Sequence, residues 1–487
     1  MKLNELLQPW IKTAIPAEDV LGLQNDSRKL TKGDLFFAYP GEVTDGRSFF
    51  EQAEPAKAVG IVYDPLNPPK SMTLASQIPC FPIAGLARQL SAIAARFYAY
   101  PTRSIAVTGV TGTNGKTTIA YQLAQAYGLL GQRAAYVGTL GEGEVDHLRP
   151  LANTTPDALC LQKLCHDYHQ AKIVQLCMEV SSHALHQGRV DDIDFKTAIY
   201  TNLSHDHLDY HHTLEAYAQA KALLFQRPTL RWAIINHDDA HSLQMGASLS
   251  SGCQKLTYGL HDGCDVRAVR WEQSMTGSQF EVVSPWGTQL VSVSLVGQFN
   301  IYNSLAVYSS LLAEGIDPCE VVRVMALLKA SPGRMEVVSQ QPCVIVDYAH
   351  TPDALENVLS TLTQLKKGRL GVVFGCGGDR DKTKRPVMGR IAGQYADFVI
   401  VTSDNPRSED PSVIIDEICE GLLPKTKSQK IADRALAIQE GLKMTGPNDI
   451  LLIAGKGHEA YQQIGQERFL FSDKDVVDKD RGLSKLQ

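Results

Sequence analysis

Short apolar runs alternate with longer stretches of helical apolar spacing over most of the chain. In the first part, runs at residues 34–41 and 58–64 precede a helical stretch at 85–100. A second series of runs lies at residues 104–110, 134–140, 172–180, 196–203 and 231–239. Because helix-like segments separate several of these runs, the pattern predicts a mainly parallel sheet with crossover helices.

Residues 255–296 have a different pattern. Their runs alternate or are rich in β-branched residues, and no helical stretch separates them. This predicts a small antiparallel sheet appended to the parallel one, followed by a helix at 303–316. From residue 343 onward, apolar runs again alternate with helical stretches, which predicts a second α/β unit that extends to the C-terminus.

The chain has 487 residues, which is too long for one hydrophobic core and indicates about three domains. Pro101 and the residues that follow it read as a linker, and the turn-rich segment at 331–338 ends the second unit. We therefore predict an α/β protein with domains at 1–98, 99–335 and 336–487.

Charge and composition limit the classes of molecule that the protein can bind and the compartment in which it works. The net charge is −6, so no overall positive field attracts nucleic acid or anionic lipid, and an anionic substrate needs a local basic pocket. None of the ten cysteines forms a C-x-x-C pair, which favours buried free thiols in a reducing compartment. The N-terminal residues lack the apolar core of a signal peptide, and no run approaches the ~18 apolar residues that span a bilayer. We expect a cytoplasmic protein with no membrane and no nucleic-acid partner.

The clearest chemical signal is TGVTGTNGKTT at residues 108–118, which follows a predicted strand and opens a predicted helix. Glycines let the backbone approach a phosphate, successive N–H groups form an anion nest, and the helix N-terminus adds positive potential. In such a loop Lys116 reaches the β- and γ-phosphates, and the Thr117 hydroxyl coordinates Mg²⁺. The strict G-x-x-x-x-G-K-[ST] pattern fails by one position, because residue 110 is Val and five residues separate Gly109 from Gly115. A structural glycine turn is the alternative, but the Lys-Thr-Thr ending favours ATP.

Three further features are ambiguous by themselves. Glu179 ends an apolar run, where a metal ligand is expected next to a phosphate loop, although it also fits a solvated strand end. Residues 203–212 contain four histidines and two aspartates. Because no cysteine joins them, a surface histidine cluster without a ligand role is favoured over zinc. Lys221 lies in a helical pattern and by itself reads as a solvated charge.

A series of motifs along the whole chain resembles the Mur ligase family. The motifs are TGTNGKTT, NTTP, MEVSSHAL with QGRV, TNLSHDHLDYH, AKALLF, GQFNIYN, PGRMEVV, DYAHTPDAL, GCGGDRDKTKRP, SDNPR and GKGHE. The resemblance implies an N-terminal nucleotide-sugar-binding α/β domain, a central phosphate-loop ATPase domain with a mostly parallel and a small antiparallel sheet, and a Rossmann-like C-terminal domain. It also implies a monomeric ligase of peptidoglycan precursor synthesis.

The resemblance implies a definite reaction. ATP phosphorylates the D-Glu γ-carboxylate of UDP-MurNAc-L-Ala-D-Glu, and the amine of meso-2,6-diaminopimelate attacks the acyl phosphate through a tetrahedral intermediate. A carboxylate is a poor electrophile until one of its oxygens becomes a leaving group, and transfer of the γ-phosphoryl group mainly requires neutralisation of charge.

The same resemblance assigns residues to roles. Lys116, Glu179, His207 and Lys221 are implied to be catalytic, with Lys221 carbamylated. Mg²⁺ is implied to be held by Thr117, Glu179 and His207. The residues implied to bind ATP are Gly112, Thr113, Asn114, Gly115, Lys116, Thr117, Thr118, Asn300, Arg334 and Asp347. Those implied to bind the UDP-MurNAc-dipeptide are Asn25, Ser27, Glu42, Val43, Thr44, Asn153, Thr154, Thr155, Ser181, Gln187 and Arg189.

The SDNPR segment bears on the choice of amino acid. Diaminopimelate differs from lysine by one extra carboxylate on the distal carbon, and Arg407 offers a planar bidentate donor for that group. Lysine-adding members of the family carry a different tetrapeptide without this arginine, so the motif favours diaminopimelate. The pocket is implied to consist of Arg380, Asp404, Asn405, Pro406, Arg407, Gly455 and Glu459. In it, Glu459 is expected to face an ammonium group.

Alternatives from two classes stay open. Folylpolyglutamate synthetase shares the architecture and the chemistry but uses glutamate, and the SDNPR and N-terminal motifs argue against it. A phosphate-loop motor or switch would hydrolyse ATP without a small-molecule acceptor. GCGGDRD also suggests a dinucleotide-binding dehydrogenase, but it lacks the spacing of G-x-G-x-x-G.

Overall fold

The computed structural model describes residues 1–41, 44–70, 72 and 78–480. The first unit contains α1 (Leu3–Leu7), β1 (Gly22–Gln24), β2 (Asp34–Ala38), β3 (Gly60–Tyr63), β4 (Cys80–Pro82) and α2 (Leu86–Phe97). Its strands form a parallel sheet in the order β1-β2-β3-β4. Leu86, Leu90 and Ile93 recur at helical spacing, so α2 presents one apolar face, which is buried in a common core with Leu35 and Phe37 of β2.

The second unit is built on a single long sheet. Its elements are β5 (Ala106–Thr111), α3 (Lys116–Leu129), β6 (Ala134–Gly138), β7 (Gly141–Gly143), α4 (Ala158–Gln170), β8 (Gln175–Glu179), α5 (Ser182–His186), β9 (Phe195–Tyr200), α6 (Leu208–His211), α7 (Leu214–Ala222), β10 (Trp232–Asn236), α8 (Ser242–Ala247), β11 (Gln254–Gly259), β12 (Val266–Ser274), β13 (Gly277–Ser284), β14 (Gly287–Val293), α9 (Gln298–Ala313) and α10 (Pro318–Met325). The strand order is β14-β13-β12-β11-β10-β9-β5-β8-β6-β7. The antiparallel sheet predicted for residues 255–296 is confirmed for β12 to β14 but is wrong for its first run, because that run is β11, which pairs in parallel with both β10 and β12.

Strand β5 lies at the point where the strand order of this sheet reverses. It pairs in parallel with β8 on one side and with β9 on the other. The chain goes from β5 through α3 to β6 on the β8 side, and it later returns to β9 on the opposite side. Ligands of open α/β sheets bind at the carboxyl ends of the strands at such a reversal. The loop after β5 is therefore the expected binding position.

The third unit is a second α/β layer. Its elements are β15 (Glu336–Gln340), β16 (Cys343–Asp347), α11 (Pro352–Leu365), β17 (Leu370–Phe374), α12 (Lys384–Tyr395), β18 (Phe398–Val401), α13 (Pro411–Cys419), β19 (Ser428–Lys430), α14 (Arg434–Met444), β20 (Ile450–Ala454), β21 (Tyr461–Ile464), β22 (Glu467–Leu470) and α15 (Asp473–Asp480). The strand order is β15-β16-β20-β17-β18-β19, and only β15 is antiparallel to its neighbour. Strands β21 and β22 form a separate hairpin.

The α/β fold class is confirmed, but the prediction that the cysteines are buried is wrong for most of them. All ten cysteines are free, yet Cys319 is exposed and only three are buried. Residues 101–103, which were predicted to belong to a linker, form a 3-10 helix in which Pro101 and Thr102 are buried. The domain boundaries at residues 98 and 335 stay a prediction. In the part of the chain that the structure describes, no helix is both long and apolar enough to cross a membrane.

A fully buried ion pair connects α15 to α14 within the third unit. Nε and Nη2 of Arg434 each lie 2.7 Å from a carboxylate oxygen of Asp473, and neither side chain is exposed. The same guanidinium donates to the carbonyl of Ala454 at the end of β20. Removing one partner of such a pair leaves a buried charge unpaired.

We expect Asp473→Asn to lower the free energy of unfolding of the third unit by about 3–5 kcal/mol. The exposed Asp475 of the same helix provides the matched control, and Asp475→Asn should change the free energy by less than about 0.5 kcal/mol. Hydrogen exchange of the amides of α14 and β20 in increasing urea measures both. Equal effects of the two substitutions would show that the buried pair has no special role.

Candidate active site

The loop after β5 has the backbone of a phosphate-binding turn. Gly112 and Gly115 have φ angles of +148° and +89°, which favour glycine. The segment after β9 holds this loop in place, because Asn202 accepts from the backbone N–H of Thr113 at 2.8 Å and from that of Asn114 at 2.9 Å. The motif TNLSHDHLDYH contains Asn202, but nothing in the sequence alone assigned it a role. The loop opens helix α3, whose first N–H groups have no intrahelical acceptor.

Lys116 is folded back over its own loop. Its Nζ donates to the carbonyls of Gly112 and Thr113 at 2.9 and 2.8 Å. Burial lowers the pKa of Lys116, whereas the negative charges of Glu179 and Asp206 act in the opposite direction. The ammonium group is therefore held at the mouth of the loop by carbonyl acceptors that an incoming phosphate can replace.

Glu179 is fully buried, which excludes the alternative of a solvated strand end. Its carboxylate accepts from Thr117 Oγ1 at 2.9 Å, from the Tyr136 hydroxyl at 2.5 Å and from the Thr139 N–H at 2.8 Å. The Thr117 hydroxyl and the Glu179 carboxylate therefore lie side by side, and hard oxygen donors of this kind suit Mg²⁺. Sequence reasoning missed Tyr136 and Thr139, because only the sheet order brings the end of β6 next to the end of β8.

Lys221 is also buried, with 1% of its surface exposed, so the interpretation as a solvated helix charge is wrong. Its Nζ donates to the Gly112 carbonyl at 2.9 Å, which is the same carbonyl that Lys116 contacts. The amine lies 4.3 Å from the centre of the Tyr217 ring. Burial, with the charge of Lys116 as a second cause, lowers the pKa of Lys221 well below its ordinary value. The structure therefore places a buried amine of low basicity against the phosphate loop.

The histidine-rich segment at 203–212 is only partly a surface cluster. His211 is buried, stacks on Tyr217 with ring centres 5.1 Å apart, and has its Nε2 2.9 Å from the Ser182 hydroxyl. His207 has a positive φ of 54°, and its ring lies next to Asp206 at 3.5 Å. Among the described residues, no group of three or more His, Cys, Asp or Glu side chains could hold a metal ion. The role of His207 as a magnesium ligand stays a prediction.

A cavity of about 550 Å³ brings together predicted ATP-binding residues from distant parts of the chain. Its lining includes Asn114, Gly115, Thr118, Asn300, Arg334 and Asp347, together with residues of α11. Arg334 stacks over the Tyr348 ring, and its Nη2 lies 3.4 Å from Thr117 Oγ1. The buried Asp347 accepts from two backbone N–H groups at 2.7 Å, while burial raises its pKa. Asn303, which sequence reasoning missed, also lines the cavity and donates to Asn300 at 2.9 Å.

Several of the predicted nucleotide-sugar residues surround the end of β8. Thr155 Oγ1 donates to the Glu179 carbonyl, Arg189 donates to the Thr155 carbonyl, and Ser181 caps α5. Thr154 and Gln187 contact Thr139 and Tyr210, respectively, through hydrogen bonds of 3.1 and 3.2 Å.

Of the remaining nucleotide-sugar residues that the structure describes, Asn153 lies between β7 and α4 of the second unit, and the others lie in the first unit. Asn25 donates to the Tyr39 hydroxyl at 3.1 Å, and Ser27 opens a short 3-10 helix. Thr44 and Asn153 are exposed. Glu42 and Val43 lie outside the described residues. Whether these residues bind a nucleotide sugar stays a prediction.

The predicted amino-acid pocket is formed by loops at the carboxyl ends of β17, β18 and β20. A Cβ on Gly377 would lie 2.9 Å from Nη1 of Arg407 and 3.9 Å from Cγ of Arg380, so both arginines approach this glycine. Gly455 has a φ of +111°, and a Cβ there would meet the Asp404 carboxylate. The two arginines provide the local positive charge that an anionic amino acid requires.

The other side of this pocket contains a buried polar group that sequence reasoning missed. The fully buried Lys456 donates to Asn405 Oδ1 and to Glu459 Oε2, each at 3.1 Å. Asn405 also donates to Glu459 at 2.8 Å, and Pro406 next to it is buried. Lys456 lies in the GKGHE motif, where the charged residue between two glycines was the available signal. In this conformation the ammonium next to Glu459 is that of Lys456.

A phosphate loop at the reversal point of a parallel sheet, facing a second α/β layer across one cavity, defines a nucleotide-binding α/β enzyme. Residues 110–311 match the Mur ligase middle domain, and residues 333–457 match the Mur ligase glutamate ligase domain. The chain belongs to the Mur ligase family.

Individual relatives agree with this assignment. The chain is 42% identical to a UDP-N-acetylmuramoyl-L-alanyl-D-glutamate–2,6-diaminopimelate ligase of Chromobacterium violaceum, over 94% of this chain and 93% of the relative. A solved structure that carries the same enzyme name is 36% identical, with a TM-score of 0.72 and 99% coverage of both chains. A folylpolyglutamate synthase of Mycobacterium tuberculosis, solved with ADP and AMPPCP, has a TM-score of 0.65 at 16% identity and covers 82% of this chain and 95% of its own. That last similarity concerns the fold alone.

Proposed function

We propose that the chain is an ATP-dependent ligase that joins meso-2,6-diaminopimelate to the D-Glu γ-carboxylate of UDP-MurNAc-L-Ala-D-Glu in peptidoglycan precursor synthesis. The observation that carries this proposal is the 42% identity to a diaminopimelate ligase over 94% of the chain. The pair Arg380 and Arg407 supports it, because diaminopimelate carries a distal carboxylate that lysine lacks.

The residues around the phosphate loop suit phosphoryl transfer to a carboxylate. Lys116 can exchange the loop carbonyls for the γ-phosphate and stabilise its charge, and Arg334 at the end of the second unit can add positive charge next to Thr117. Thr117 and Glu179 would hold Mg²⁺, which supplies further neutralisation of phosphate charge. Once the acyl phosphate has formed, the substrate amine attacks its carbonyl carbon, and inorganic phosphate leaves.

Carbamylation of Lys221 fits its surroundings. The neutral amine nitrogen attacks the carbon of CO₂, a proton is released, and a carbamate anion results. Burial and the charge of Lys116 both favour the neutral amine at ordinary pH, and the resulting anion would lie next to the Lys116 ammonium. This modification replaces a repulsive pair of cations with an attractive pair of opposite charges.

The setting of the enzyme is part of the proposal. We place it in the cytoplasm as a monomer with domains at 1–98, 99–335 and 336–487. All ten cysteines are free, which agrees with a reducing compartment. The net charge of −6 does not favour a nucleic-acid or anionic-membrane partner.

Release of inorganic phosphate tests the proposed function. The purified protein is given ATP, Mg²⁺ and UDP-MurNAc-L-Ala-D-Glu, with meso-diaminopimelate, L-lysine or L-glutamate as the amine. We expect rapid release only with meso-diaminopimelate. A parallel assay replaces the UDP-MurNAc-dipeptide with a folate acceptor, and preference for L-glutamate in that assay would favour folylpolyglutamate synthetase. Equal release of phosphate without any acceptor would favour a motor or switch.

A further inference from the structure

We propose that Arg385 and Glu409 are a positioning pair that sets the spacing of Arg380 and Arg407 and thereby the selectivity for an amino acid with a distal carboxylate. This inference rests on the proposed function. Neither residue is expected to touch the substrate, since Arg385 is fully buried in the first turn of α12 and both carboxylate oxygens of Glu409 accept from Arg385.

Arg385 joins the two loops that carry the arginines. Its Nη1 and Nη2 each donate to one oxygen of the Glu409 carboxylate at 2.9 Å, and Nη2 also lies 3.3 Å from the carbonyl of Gly377. A planar two-point contact of this kind fixes orientation as well as distance. Glu409 belongs to the loop after β18, whereas Gly377 belongs to the loop after β17. The guanidinium therefore spans both loops.

A row of polar contacts between the two loops, called the seam below, continues from Arg385 and Glu409 through Asp379 and Ser408 to Arg407. Glu409 Oε1 also accepts from the backbone N–H of Asp379 at 2.6 Å, and the carboxylate of Asp379 accepts from the Ser408 hydroxyl at 2.5 Å. Arg407 closes the seam, because its Nη1 donates to the carbonyl of Gly378 at 2.7 Å. The Arg385 contact holds the pKa of Glu409 down to about 2, so the carboxylate stays charged at any physiological pH.

The geometry links this seam to the substrate pocket. Gly377, whose carbonyl faces Arg385, is also the residue that Arg380 and Arg407 both approach. Asp379 and Arg407 each have a φ of +52°, a conformation that L residues seldom adopt without support from their surroundings. Binding sites need their contact groups held to within about 0.5 Å. Loosening the seam would therefore separate the two arginines before it unfolds the sheet.

The substitution Arg385→Lys removes the two-point contact but keeps the charge. We expect the KM for meso-diaminopimelate to rise about tenfold, with the KM for ATP unchanged within about twofold. The ratio of kcat/KM for meso-diaminopimelate to that for L-lysine should fall about tenfold. L-lysine has no distal carboxylate, so its binding does not depend on the spacing of the two arginines. A merely structural role would lower both efficiencies equally.

A matched control uses the other partner of Arg385. Glu417 on α13 accepts from Arg385 at 2.5 Å but lies outside both loops. Glu417→Gln should therefore leave the selectivity ratio unchanged. If Arg385→Lys does not fold, Asp379→Asn decides the question, because Asp379 is exposed and asparagine tolerates a positive φ. We expect that variant to lower the ratio about threefold.

An unchanged ratio in a folded Arg385→Lys or Asp379→Asn protein, or the same fall in Glu417→Gln, would overturn the inference. The wild-type protein is measured first. If it does not use meso-diaminopimelate, the proposed function fails and this inference fails with it. If it does and the variants keep their selectivity, only the positioning role fails.

Discussion

Lys221→Ala should lower acceptor-dependent phosphate release by about a hundred- to a thousandfold, the range observed when one preorganised charged or polar group is lost from an active site. The side chain is buried against the Gly112 carbonyl and shares that acceptor with Lys116. The carbamate would supply a negative charge that holds Lys116 in the loop, and alanine cannot form it. Initial rates at saturating ATP, UDP-MurNAc-dipeptide and diaminopimelate measure the loss.

The exposed Lys163 of α4 is the matched control, since it is another helix lysine of the second unit, and Lys163→Ala should retain wild-type rates. Intact mass of the wild-type protein at neutral pH should show one added CO₂, which acid treatment removes because protonated carbamates lose CO₂. A short-chain carboxylic acid should partly restore the activity of Lys221→Ala. Wild-type rates in Lys221→Ala, or an unmodified mass together with no rescue, would exclude the carbamate.

Arg407→Ala is expected to lower kcat/KM for meso-diaminopimelate by about a thousandfold, because loss of one partner of a buried charge pair costs several kcal/mol. The KM for ATP should stay within about twofold, since the ATP residues line a separate cavity. Use of L-lysine should change much less, because that substrate offers no distal carboxylate to the guanidinium. Steady-state kinetics with each amino acid provide all three values.

Arg390, an exposed arginine of α12, provides the control for Arg407. Arg390→Ala removes the same charge from the third unit and should leave all constants unchanged. If Arg407→Ala weakened ATP and diaminopimelate equally, the arginine would act on the fold of the unit rather than on recognition of the amino acid.

The elements and the phosphate loop could be predicted because their signals are local. A run such as SIAVTGV followed by TNGKTT specifies a strand, a tight turn and a helix within a few residues, and the structure has β5 and α3 at those positions. Strands β12 to β14 were equally readable from alternation, although the same pattern did not separate them from β11, which pairs in parallel on both sides. Edge pairing depends on a partner strand that periodicity within one segment does not identify.

Burial of single charged residues was the point where the sequence misled. Lys221 has the neighbours of an ordinary helix residue, and only the packing of α7 against the loop after β5 makes it a buried amine. Arg385 and Arg434, which the sequence did not single out, are buried charged residues of the same kind. Desolvation depends on every element packed around a group, so it cannot be read from neighbours along the chain.

The sequence by itself determined the fold class, the position of the phosphate loop and the resemblance to a ligase family, because each depends on short-range spacing and on motif order. Only the tertiary structure decided which side chains meet: Glu179 with Thr117, Lys221 with the Gly112 carbonyl, and Arg385 with Glu409 in the loop after β18. These contacts join residues far apart in the chain, and sheet order and helix packing set their distances.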